Sequence, residues 1–398
     1  MQYWSRNLYI LWFGCFCASM SYTIVVPFMP LFLEQLNVTT GVEAWSGVVL
    51  SAGFLMSAIV SPIWGSMADR YGRKAMILRA GFGMSTCYAL QYFVSSPYQL
   101  LALRALNGLF SGFIPASTAL IATNTPEDKI GSCLGIVQTA SASGQIMGPL
   151  IGGVISELLG MRMTFLVAGA ALFSSTLVVG FFVHETKRVQ PGTQIHVADD
   201  VRGAMRNAAL RTVLISSAMV QIGLTTLQPV LSLQVEALGQ EGTAALAAGA
   251  IYSVTGVATV IGAPAWARRG QSLGYKQVLV ANLLAAGLFN IPLAFVKSIF
   301  LFGALRFAVG LATAGIGISV NALTAKSVDV EFRGRAFGIL QSFNQLGGMF
   351  GPLLGGVAGT VTGLASTFAL AAFVLIGTSV IVARFLRSPQ PEAARAQA

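Results

Sequence analysis

Apolar residues in this chain come in long runs separated by short polar breaks. The stretches Leu8 to Leu36, Trp45 to Met67 and Val213 to Val235 each reach the roughly 20 predominantly apolar residues that cross a bilayer as a helix. Reading every run between polar breaks predicts twelve helices, near 8–36, 44–68, 74–95, 98–123, 131–156, 163–183, 209–236, 244–267, 275–296, 298–325, 333–358 and 363–386. One long polar segment interrupts them, His184 to Asn207, which carries Glu185, Lys187, Arg188, Asp199, Asp200, Arg202 and Arg206. Its second part, Ala198 to Asn207, is expected to form a short amphipathic helix on the membrane surface. The predicted fold is an all-α membrane protein of two pseudo-symmetric six-helix bundles, 1–183 and 209–387, with a cytoplasmic linker at 184–208 and a cytoplasmic tail at 388–398. The first run is too long for a cleavable signal peptide and has no small-residue cleavage site, so it is expected to stay as the first span.

Composition agrees. Only 10% of the 398 residues are charged and 55% are hydrophobic, with a mean hydropathy of +0.73. Soluble domains carry about 25% charged residues, so this chain could not cover a water-soluble globule of its length. An ordinary soluble enzyme is excluded. The net charge of +10 matters for where it lies. Alternate loops and ends hold 20 of the 24 basic residues, including Arg70, Arg73, Lys74, Arg268, Arg269, Arg333 and Arg335, while the opposite loops hold only Arg162 and Lys297. The positive-inside rule then puts both termini and the linker in the cytoplasm, with the chain in the cell's inner or plasma membrane, and gives the basic charge no nucleic-acid role. The four cysteines (Cys15, Cys17, Cys87, Cys133) lie in or beside apolar runs without disulfide or metal spacing, and the two histidines (His184, His196) lie in the polar segment. Neither set suggests a metal or cofactor, and no phosphate-binding loop is present.

The halves repeat. At an offset of 202, Ser61-Pro62-Ile63-Trp64 meets Ala263-Pro264-Ala265-Trp266, Arg104 meets Arg306, Pro27 meets Pro229 and Glu34 meets Glu236. At 203, Gly148-Pro149-Leu150-Ile151-Gly152-Gly153 meets Gly351-Pro352-Leu353-Leu354-Gly355-Gly356. Parallel six-helix repeats enclose a midplane site that opens to either side as the halves rock.

Three motifs sharpen this. The second and third helices are joined by Gly65-Ser66-Met67-Ala68-Asp69-Arg70-Tyr71-Gly72-Arg73-Lys74, in which Gly72 permits a tight turn and Asp69 can pair with a cation or a helix N-terminus. Arg104 lies about six residues into the fourth helix, where a charge is expensive and should face the interior with a partner. The fifth helix carries Gly135, Gly144, Gly148, Pro149, Gly152 and Gly153, small residues that let helices approach closely, with a proline that favours a kink. Together these closely resemble the signatures of the major facilitator superfamily, and the fifth-helix spacing resembles that of its twelve-helix drug:H⁺ antiporters. The resemblance implies an exporter, not an enzyme, that moves organic compounds out as protons move in. It implies a gating role for Gly65, Asp69, Arg70, Gly72, Arg73 and Lys74, with Asp69 set against the start of the eleventh helix near Arg333 to Ala336 in the outward-open state. It also implies a proton-coupling role for Arg104.

No acidic residue lies deep within a predicted span, and Thr23 stands where many relatives have a carboxylate. Proton coupling is therefore expected to use Glu34, Asp69, an Arg104 network or an unusual arrangement. Scattered polar and aromatic groups (Tyr22, Phe28, Phe54, Asn107, Gln138, Gln228, Tyr252, Asn321, Gln341, Phe343 and Asn344) could line a cavity for amphiphilic ligands. The expected partners are small organic substrates, protons and the lipid bilayer, handled by a functional monomer. A dedicated exporter of one sugar or siderophore is the alternative, and a non-transporting membrane receptor or enzyme is a more distant one.

Overall fold

A computed structural model describes residues 3–126, 129–185, 197–239, 243–329 and 332–386. Most of the linker and the tail at 388–398, with Lys187, Arg188 and Arg395, lie outside these residues. The described residues form helices: α1 (Tyr3–Thr23), a 3₁₀ turn (Val26–Phe28), α2 (Met29–Gln35), α3 (Val42–Tyr71), α4 (Arg73–Gln91), α5 (Pro97–Leu109), α6 (Phe113–Asn124), α7 (Ile130–Leu159), α8 (Met161–Phe182), α9 (Val197–Arg206), α10 (Ala208–Thr225), α11 (Leu231–Ala237), α12 (Ala244–Leu273), α13 (Tyr275–Leu293), α14 (Ile299–Lys326), α15 (Arg333–Thr362) and α16 (Leu364–Phe385). Among them, nine spans are long and apolar enough to cross a membrane; α4, α7 and α15 complete the twelve, α4 carrying Arg73, Lys74 and Arg79 and the other two being rich in glycine and amides.

The repeat is visible in the element bounds. α3 and α12, and α4 and α13, coincide at the 202 offset; α7 and α15, and α8 and α16, coincide at 203. Each copy turns between its second and third spans at a glycine in the left-handed region, Gly72 (φ 95) and Gly274 (φ 96), a conformation only a residue without Cβ adopts at little cost. The first and seventh spans both break after a threonine, at Thr23 and Thr225. Pro27, Pro30 and Pro229 fall just beyond, where their missing N–H groups end a helical ladder. One difference is local. The fourth span is split at Phe110–Gly112, with Gly112 at φ 115, while its counterpart α14 is continuous and has Ala314 there.

Each bundle has its own apolar centre. Leu11, Ile77, Leu100, Phe165 and Leu172 anchor the first. Leu214, Leu283, Ile316 and Leu375, with Val230, Phe302 and Phe368, anchor the second. Helix α9 forms close to the expected place. It is docked on the second bundle: Ala204 is buried among Leu210 and Leu386, and Arg335 donates to Asp200 across 2.7 Å.

The bundles touch along two seams, α3 with α15 and α7 with α12. Both seams are closed from the end opposite the termini and the Gly72 loop as far as about the middle of the helices. There, a Cβ on Gly47 or Gly356 would strike the facing backbone of Pro352 or Glu43, and one on Gly249 would strike Pro149. Ser51 donates to the Met349 carbonyl (2.6 Å), Gln345 donates to Ser57 (2.7 Å) and Ser253 donates to the Ile146 carbonyl (2.6 Å). Toward the termini the same helix faces diverge. Gly65, Gly131, Gly135, Gly334 and Gly338 have no atom that a Cβ would meet within 4 Å. The molecule is sealed at one end and open at the end that carries the basic loops.

Candidate functional site

The Gly72 loop is held from an unexpected quarter. The backbone N–H groups of Arg73 and Lys74 begin α4 and donate to the Glu185 carboxylate at 2.9 and 3.1 Å. An anion at a helix N-terminus satisfies orphan donors and complements the dipole. Glu185 is brought there because the chain leaving α8 is pinned to the first bundle. Asn7 and Asn124 both donate to the His184 carbonyl (2.7 and 3.1 Å), and Arg6 bonds the His184 ring at 2.8 Å. Arg73 reaches the Ala119 carbonyl and the Thr123 hydroxyl, both at 2.6 Å, and Arg70 lies over the Tyr71 ring. The Asp69 backbone is in α3, but its side chain lies outside the described residues. Near its expected partner, Gly334 faces open space.

Helix α7 packs closely along most of its length. Cβ atoms at Gly144, Gly148 and Gly152 would clash with α1 or its continuation at Phe16–Met20, Thr23 and Ile24–Phe28; one at Gly153 would crowd α12. Thr23 donates to the Gly144 carbonyl at 3.0 Å, so this position serves as a helix-to-helix tie. Gly135 stands apart from the others and faces the open half.

Two buried arginines lie in the sealed half, each beside tyrosines of its own bundle. Arg104 is 4% exposed, lies 6.0 Å from the Tyr88 ring centroid, and interacts electrostatically with Tyr88 and Tyr22. Tyr22 stands edge-on to Phe54 at 6.1 Å and within electrostatic reach of Tyr252. Arg306, 8% exposed, interacts with Tyr252 in turn.

The remaining candidates scatter. Phe28 is buried in the outer seal beside Ala244 and Ala245. Asn107 donates to the Met84 carbonyl (3.4 Å), and Asn344 accepts from Ser217 inside the second bundle, where Phe343 also packs. Gln138, Asn321 and Gln341 are exposed in the open half. Gln228 is half-buried, with a carbonyl oxygen that makes no hydrogen bond. Glu34 ends α2 at the sealed end, where its charged neighbours are Glu236 and Glu43. Arg104, whose neighbours are tyrosines, is not brought to it. Sequence reasoning passed over Glu185, Tyr88, Ser51, Ser57 and Ser253. Their residue types are common in spans and linkers, and only the packing gives them partners. Among the described residues, no group of His, Cys, Asp and Glu could hold a metal ion.

A duplicated six-helix unit, sealed across its seams at one end and open at the other, defines an integral membrane transporter, not an enzyme. The profile of the Major Facilitator Superfamily matches residues 11–256 and again 213–398, and the chain belongs to that family. It is similar to the multidrug resistance protein MdtG of Enterobacter lignolyticus (36% identical over 398 residues, covering 99% of this chain and 95% of the relative) and of Klebsiella pneumoniae (36% over 396 residues, covering 98% and 96%). In fold it is similar to the nucleoside transporter NupG (TM-score 0.80, 15% identity, covering 97% of this chain and 100% of that one). A bacterial homolog of the human lysosomal transporter Spinster, solved inward-facing and occupied, has a TM-score of 0.74 at 16% identity, covering 96% of this chain and 95% of that one.

Proposed function

We propose that this protein exports amphiphilic organic compounds by alternating access, in exchange for protons, from the inner or plasma membrane with both termini in the cytoplasm. One observation carries the reading: both inter-bundle seams are closed by glycines and short hydrogen bonds at one end, and the same helix faces diverge at the end rich in Lys and Arg. The positive-inside rule makes that open end cytoplasmic, so the conformation is the one that would admit a compound from the cell. The near-full-length similarity to proteins named multidrug resistance protein supports export of drugs.

Coupling rests on fewer groups. Glu34 sits at the outer end, Arg104 is buried in the sealed half and Asp69 is at the cytoplasmic loop, one candidate at each level of the molecule. Asp69 would engage the start of α15 only when the cytoplasmic end closes. The test is a panel of compounds in proteoliposomes with an imposed pH gradient, comparing wild type with Glu34→Gln, Arg104→Ala and Asp69→Asn. Several unrelated compounds should move against the gradient in the wild type, and each variant should lose gradient-driven transport at unchanged protein level. Transport of a single metabolite would replace the multidrug reading with a dedicated exporter. Transport indifferent to the gradient would remove proton exchange.

A further inference from the structure

The two copies of the repeat part company at the fourth span. In the first bundle it breaks between α5 and α6, and the residues there explain why. Pro115 has no N–H to offer the Ser111 carbonyl, and in a continuous helix its ring would crowd that carbonyl. Gly112 turns the chain at φ 115. At the matching positions α14 has Gly317, whose N–H is intact, and Ala314, and it runs unbroken from Ile299 to Lys326.

The carbonyl freed by the break is taken up by α4. Arg79 donates through Nη2 to the Ser111 carbonyl at 2.7 Å, and its guanidinium lies 3.6 Å from the Trp64 ring centroid. The Phe110 ring stands against Gly83, where a Cβ would clash with it. Nearer the start of α4, Arg73 donates to the Ala119 carbonyl and the Thr123 hydroxyl, both at 2.6 Å. Helix α4 thus grips α6 near both ends. Helix α5 is held elsewhere: Gly108 packs so closely on the Gly53 backbone of α3 that a Cβ would strike it. In place of Arg73 and Arg79 the second copy has Tyr275 and Ala281, which offer α14 no guanidinium. One bond is common to both copies, from Trp64 to the Leu109 carbonyl and from Trp266 to the Leu311 carbonyl, each 2.8 Å, so it does not account for the difference. The break also reaches the seam. The Ser111 and Ser57 hydroxyls are 2.8 Å apart, and Ser57 accepts from Gln345 of the opposite bundle at 2.7 Å.

We propose that the fourth span is an asymmetric joint: it flexes at Phe110–Gly112, where Arg73 and Arg79 splint α6 to α4 so that both swing with the Gly72 loop, while its repeat partner α14 stays straight. The proposal rests on the alternating-access reading and assigns a moving part within it. A helical ladder resists bending as a row of bonds, whereas a break at proline and glycine hands its carbonyls to side chains, and hinges are element-terminal positions of this kind. Helix α5 stays with the sealed half through the contact of Gly108 with Gly53. The end of α3 beyond Pro62, which carries Trp64, can follow α4 because the proline removes a helical bond. Gln345 bonds the serine pair only while the α3–α15 seam is shut at mid-span, so parting that seam releases the joint. Arg79 is a positioning residue that acts through the Ser111 carbonyl.

The test measures distances by pulsed electron paramagnetic resonance on the full-length protein in lipid nanodiscs, with the native cysteines replaced by alanine. Ala102→Cys with Ala122→Cys carries spin labels across the joint, and Ala304→Cys with Ala325→Cys carries them along the matching stretch of α14. Ser66→Cys with Gly334→Cys reads the cytoplasmic opening. Gly47→Leu with Gly249→Leu overpacks both outer seams, where a Cβ already strikes the facing backbone, and drives the molecule toward the opposite conformation. There the 66–334 distance should shorten, the 102–122 distance should shift by several ångströms and the 304–325 distance should stay as it was. A second arm needs no overpacked protein. Arg79→Gln should broaden the 102–122 distribution and leave 304–325 unchanged, and Arg79→Lys, which keeps the charge without the planar fork, should broaden it less. A shortened 66–334 distance with 102–122 unmoved, or with both spans shifted alike, overturns the joint and leaves alternating access standing. A 66–334 distance unchanged in a monodisperse overpacked protein sinks alternating access and the joint's motion with it. An Arg79→Gln distribution as narrow as that of the wild type overturns the splint.

Discussion

Glu185 shows how much one side chain can organise. It accepts from two backbone donors at the start of α4, and so ties the end of the first bundle's last helix to its central loop. Replacing a capping side chain with alanine typically costs about 0.5–2 kcal/mol, and Glu185→Ala should lower the thermal unfolding midpoint in detergent while Glu185→Gln, which keeps an acceptor, should lower it less. Equal midpoints for all three proteins would mean that the cap contributes nothing. In the sequence, Glu185 reads as the first acid of a polar linker, because its partners are more than a hundred residues away. Arg104 was legible for the opposite reason. A cation deep in an apolar run is so costly that it demands an interior position wherever the helix packs. Its neighbours were not legible: Tyr88 reaches it from another helix, and Glu34 does not.

At the scale of helices, glycine does two different jobs along one face. In α7, Gly148 and Gly152 sit where a side chain would enter the backbone of the first span. Leucine at either position overpacks the contact, at a typical cost of about 1–3 kcal/mol, and each variant should export poorly and unfold at lower temperature. Gly135 and Gly338 have free space around them in this conformation. Gly135→Leu and Gly338→Leu should therefore keep the wild-type unfolding midpoint yet lose transport, because the added side chains obstruct closure of the cytoplasmic end. Retained transport in both would show that these faces never come together. The glycine spacing identified both helices in advance. Which glycines are packed now and which wait for another conformation depends on the angle between the bundles, and a spacing cannot encode an angle.

For the whole molecule, the decisive contacts are the few polar bonds across the α3–α15 seam. Ser57 and Gln345 meet there with 2.7 Å between their bonded atoms, and the native cysteines are all buried. Ser57→Cys with Gln345→Cys, bridged by a short bifunctional thiol reagent, should hold the α3–α15 seam shut at mid-span and stop transport, with the single-cysteine proteins unaffected by the same treatment. Full transport by the bridged protein would mean that this seam need not open.

Sequence alone determined the spans, the repeat and the uneven placement of basic residues, because crossing a hydrocarbon layer leaves a mark on every residue of a span and duplication preserves that mark at a fixed offset. Tertiary structure decided the rest. It chose which end is sealed, and set Glu34 among acids and Arg104 among tyrosines. Those facts depend on how two nearly identical bundles lean against each other. That tilt is a balance of a few close contacts between helices far apart in the chain, and no local pattern of residues records it.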